Sequence, residues 1–111
     1  MATELVLLSE VPVSMEVMQN ALLRAQGDGR LIEFRGGEFT SLLGADDNHL
    51  LTVHATRLVQ RPEEVAKAIV APPQHFRLWT EITVPFGVLA AGRALAEEIA
   101  AEVGGELKER I

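Results

Sequence analysis

Two glycines set between two short alternating runs constrain this chain more than any other feature. Leu31 to Arg35, then Gly36-Gly37, then Glu38 to Leu43 reads as a β-hairpin, because tight hairpin turns need positive φ angles that glycine adopts without steric cost. That register sets Phe34 opposite Phe39 on one face, with Ile32 beside them. Leu31, Glu33, Thr40 and Leu42 then occupy the other face.

The segments around the hairpin supply the rest of a sheet and its helices. Glu4 to Ser9 is apolar over Leu5-Val6-Leu7-Leu8 and ends before Val11-Pro12; an unbroken apolar strand belongs at a sheet centre, covered on both faces. Ser14 caps a helix from about Met15 to Gln26, with Met18, Ala21, Leu22 and Ala25 on one face. Leu50 to Gln60 alternates like a long strand. Leu51, Val53, Ala55 and Val59 share one side; Leu50, Thr52, His54, Thr56 and Leu58 share the other.

Pro62 with Glu63 and Glu64 suits the start of a short helix carrying Val65, Ala68 and Ile69, and Pro72-Pro73 ends it. His75 to Val84 is a further strand, with Phe76, Leu78, Ile82 and Val84 inward and Arg77, Trp79, Glu81 and Thr83 outward. Leu89 to Val103 forms the longest helix, burying Gly92, Leu95, Ala96, Ile99 and Val103, and Gly104-Gly105 caps it. Glu106 to Ile111 adds a last edge strand through Leu107 and Ile111. The expected fold is α+β: a mostly antiparallel sheet of five or six strands with two or three helices packed on one face, in the order β-α-β-β-β-α-β-α-(β). Residues 1–111 make a single α+β domain, since halves of a 111-residue chain would each be small for a stable core.

Charge and residue usage exclude several classes. The net charge is −6, and the ten Lys and Arg residues never cluster, which disfavours nucleic acid as a partner. The absence of Cys removes disulfides, thiolate metal sites and Cys nucleophiles, and suits a reducing cytosol. Met1-Ala2-Thr3-Glu4 lacks the basic start of a signal peptide, and no apolar run approaches the roughly 20 residues of a membrane span. The chain reads as acidic, cytoplasmic and bacterial, with no membrane partner.

No catalytic, cofactor or metal site emerges from the motifs. His49 and His54 have opposite parity along one strand and His75 lies on another element, so structural or solvated roles suit all three. Asp46-Asp47-Asn48-His49 lacks the alternating ligands, Gly and distal Glu of a calcium loop and reads as a polar turn. The glycine pairs do not lie between a strand and the start of a helix as phosphate loops do. Ser9, Ser14 and Ser41 sit in no nucleophile elbow, and Tyr is absent.

One surface rises above this background. The expected outer sheet face carries Leu31, Leu42, Leu50, Leu58 and Trp79 among Glu33, Thr40, Thr52, His54, Thr56, Glu81 and Thr83. It is too apolar for a solvated face and too polar for a core, the balance typical of interfaces, where Trp is an energetic anchor.

Leu78 to Pro85, Gly92 to Ala100 and Gly104-Gly105 resemble the C-terminal half of small stand-alone actinobacterial α+β proteins of unassigned function. The resemblance covers about a third of the chain and carries no catalytic motif. It implies a small intracellular protein, some of which serve as immunity partners of secreted toxins. The expectation is a non-enzymatic interaction protein, of inhibitor or immunity type, homodimeric through the outer face with Trp79, Glu81, His54, Leu50, Leu58 and Leu42. The alternative is a small-ligand binder or small enzyme with a pocket near His54, Trp79 and Glu81.

Overall fold

The computed structural model describes residues 2–65, 67–69 and 76–110. Its strands are β1 (Thr3–Ser9), β2 (Arg30–Phe34), β3 (Phe39–Leu43), β4 (His49–His54), β5 (Arg57–Leu58), β6 (Leu78–Val84) and β7 (Glu106–Glu109). Its helices are α1 (Met15–Ala25), α2 (Pro62–Val65) and α3 (Leu89–Val103). All neighbouring strands are antiparallel, in the order β2-β3-β4-β6-β1-β7, with β5 continuing the line of β4 along β6. The fold is α+β, as the order of elements implies. His75 and Pro72-Pro73 lie outside the described residues, as does Ile111.

The apolar first strand is central and covered on both faces. Leu5 and Leu7 point into a core closed by Met18, Ala21 and Leu22 of α1 and by Leu95, Ala96 and Ile99 of α3. Val6 and Leu8, of the other parity, pack with Val65, Ile69 and Trp79 in a second, smaller core. Burying each Val or Leu contributes about 1.5–3 kcal/mol, so a strand with four such residues is stable only with both faces sealed. Two helices, α1 and α3, therefore share one face of the sheet. The short α2 segment sits on the opposite face, because its stripe of Val65, Ala68 and Ile69 meets Val6, Leu8 and Trp79.

Local signals set the helix ends. The Ser14 Oγ accepts from the Val17 N–H at 3.2 Å and caps α1, while Gly104, at φ 63°, closes α3. A Cβ on Gly92 would lie 2.5 Å from Val84 Cγ1 and 2.6 Å from the Leu50 carbonyl oxygen, so α3 seats directly on the sheet only because that residue is glycine. Across the two long helices, Arg24 pairs with Glu98 at 2.9 Å and with Glu102 at 2.7 Å. The Arg24 hydrogen bond, helped by Asn20, holds the Glu102 carboxyl below its ordinary range.

Strand alternation breaks in two places, and both change which side chains reach which face. Leu42 pairs with Leu51 and Leu43 with His49, leaving Leu50 as an extra residue. Further along, Val53 pairs with Ile82 but Arg57 pairs with Trp79, so the three residues between Val53 and Arg57 oppose two of β6. Past this second irregularity the parity is inverted. The Thr56 hydroxyl lies 2.8 Å from that of buried Thr80 and accepts from the Val13 N–H.

The hairpin keeps its expected register, Phe34 against Phe39. Its turn is wider than two residues, because Arg35 also takes positive φ, at 49°, and the chain turns through residues 35 to 38. The two sheet edges differ. β7 is mostly charged, and its Arg110 end is bridged by Ile69. β2 has only Arg30 and Glu33 as charges and pairs on one side.

Candidate functional site

The face opposite α1 and α3 is divided. Over β1 and β6 it is covered by the α2 segment, whereas over β2, β3 and β4 no described residue packs on it as a second layer. Residues directly opposite in an antiparallel pair share a face, so Thr52, His54 and Thr83 join Ile32, Phe34, Phe39 and Ser41 on that open part.

Three of the six residues expected there, Trp79, Glu81 and His54, lie on the outer face, in different roles. Trp79 is only 8% exposed: it stands opposite Leu8 and packs in the second core. It is a covered core residue and not an open anchor. Arg110 lies over the indole, 6.0 Å from the ring centroid, and also bonds Glu81. Arg57 approaches the same Glu81 oxygen at 3.5 Å. Leu58 is not on this face: it pairs with Leu78, one residue out of step with Trp79, because the parity inverts before β5, and it is 63% exposed at the strand end. His54 is half-buried; its Nε2 is 3.4 Å from the Thr83 hydroxyl, which donates to Glu4 at 3.1 Å.

Leu42 and Leu50 do not belong to this face. Leu42 is fully buried on the helix side because it pairs with inward-facing Leu51. Leu50 is buried there too, turned in by the extra residue at that point of β4. Thr40 and Leu31 follow Leu42 to the helix side, through Thr40 opposite Val53 and Leu31 opposite Leu42.

The residues that replace them are aromatic. The rings of Phe34 and Phe39 stack with centroids 5.3 Å apart, and the Phe39 ring lies 6.2 Å from the His54 imidazole. Phe34 is 40% exposed. This row crosses three strands and ends at the free β2 edge. Its signal is present in the sequence as the facing Phe34–Phe39 pair, which lies on the outer face because Leu42, of the other parity, pairs with inward-facing Leu51.

The Thr83 hydroxyl donates to Glu4, so the His54–Thr83–Glu4 line is a chain of surface hydrogen bonds and not an activated hydroxyl, whose proton would go to the imidazole. Among the described residues no three His, Asp or Glu side chains converge as a metal-ligand set. Among them, too, no helix is long and apolar enough to cross a membrane. Comparison with protein-family models, curated proteins and solved structures gives no significant match.

Proposed function

We propose that this chain is a non-enzymatic protein-interaction module whose first partner is a second copy of itself, joined at β2 and along the open part of the outer face. The row Phe34–Phe39–His54 carries this reading, because it is a contiguous aromatic strip that reaches a sheet edge with free backbone groups.

The β2 sequence is compatible with its own antiparallel copy. A two-fold axis through Ile32 sets Ile32 against Ile32 of the second copy, Leu31 against Glu33, and Arg30 against Phe34. Every pair then falls on a common face, and Arg30 meets an aromatic ring. No like charges stand opposite one another. Two five-residue strands give a small interface, so the expected association is weak and concentration-dependent.

Light scattering over a range of protein concentrations tests this. The wild type should pass from monomer to dimer. Ile32→Lys, which sets two cations together on the axis, should stay monomeric, while Leu58→Glu, on an exposed residue away from β2, should behave as wild type. A wild type that remains monomeric at every concentration, or an Ile32→Lys variant that dimerises as well as wild type, rejects the proposal.

A further inference from the structure

The outer side of the sheet has a second feature, separate from the open aromatic strip. Beside Trp79, where the chain leaves β5 and enters α2, lies a pocket of about 370 Å³, within the size range of small-molecule sites. Val59, Val65 and Trp79 give it apolar walls, and Arg57, Arg61 and Glu64 give it charge.

Two observations define what would fit. First, the arginines have spare capacity. Arg61 makes no ion pair among the described residues, and Arg57 shares its carboxylate, Glu81, with the closer Arg110. Second, Glu64 is partnered by Lys67 at 3.5 Å, so the one acidic group of the lining is compensated. The pocket is thus locally cationic in a chain of net charge −6.

We propose that this pocket binds a small monocarboxylate with an apolar body. The carboxylate lies between the Arg57 and Arg61 guanidinium groups, whose paired donors match its geometry, and the apolar body lies against Val59, Val65 and Trp79. This site does not depend on self-association through β2.

Trp79 is the only tryptophan and there is no tyrosine, so intrinsic fluorescence reports on the pocket directly. Wild-type protein is titrated with benzoate and hexanoate, and with benzamide and hexanamide as neutral counterparts. The carboxylates should give saturable changes at millimolar concentration and bind about tenfold or more tightly than the amides, the worth of one charge-assisted hydrogen bond. Arg61→Gln should remove that preference, and Arg93→Gln, on α3, should retain it. No saturable change with either carboxylate, equal binding of acid and amide by wild type, or an unaltered preference in Arg61→Gln would overturn the proposal.

Discussion

Leu8 stands directly opposite Trp79 in the ladder between β1 and β6, and both pack with Val65 and Ile69 beneath the α2 segment. The sole tryptophan therefore holds the second core together. Trp79→Ala should lower stability by about 3–5 kcal/mol, as other large-to-small aromatic truncations in cores do. Urea unfolding followed by circular dichroism measures it. A loss well under 1 kcal/mol would mean that α2 does not cover this strand pair in solution.

Gly92 is the point where α3 touches the sheet. Gly92→Ala raises helix propensity, but its methyl would fall on Val84 and on the Leu50 carbonyl. Overpacking outweighs propensity here, and the variant should lose about 1–3 kcal/mol despite the better helix former. A thermal melt decides the sign, since a rise in Tm would show that the helix can lift without cost.

Thr56 and Thr80 share a hydrogen bond but differ in what else depends on them. Thr56→Val strands both the Val13 N–H and the buried Thr80 hydroxyl, whereas Thr80→Val strands neither, because the Thr56 hydroxyl is only half-buried. The first substitution should cost about 1–3 kcal/mol and the second clearly less. Equal losses in denaturant unfolding would count against the Thr56 bridge to Val13.

The Arg24–Glu102 pair predicts an acid-side effect. The Glu102 carboxyl is depressed in the folded chain, chiefly by its Arg24 hydrogen bond and next by Asn20. Its stabilisation is therefore complete above the unfolded glutamate value and is lost as pH falls through the lower folded value. An NMR titration should place Glu102 below ordinary glutamates, and Arg24→Met should raise it again. An ordinary midpoint for Glu102 in the wild type would contradict the pair.

Much of this fold is legible without coordinates. The α3 boundaries, the Ser14 cap, the Phe34–Phe39 register and the central place of β1 follow from periodicity, capping chemistry and an apolar run with no polar side. The face assignment of the hairpin does not follow. It depends on Leu42 meeting Leu51, and that pairing exists only because Leu50 is an extra residue, which alternation along a single strand does not reveal. The cover over Trp79 was implied but divided between two segments. Val6 and Leu8 required a second layer, the Val65–Ile69 stripe could supply it, and only the pairing of Leu8 with Trp79 joins these facts.

The unequal edges of the sheet limit what self-pairing can build. At β7 the charges of Glu106, Lys108, Glu109 and Arg110, with the bridge from Ile69, discourage a further strand. The proposed pairing at β2 would use the less charged of the two described sheet edges in each copy. Under the proposed pairing, growth along the sheet would stop at two, because each copy would then present only its charged β7 edge, so concentration would drive dimers and not fibres.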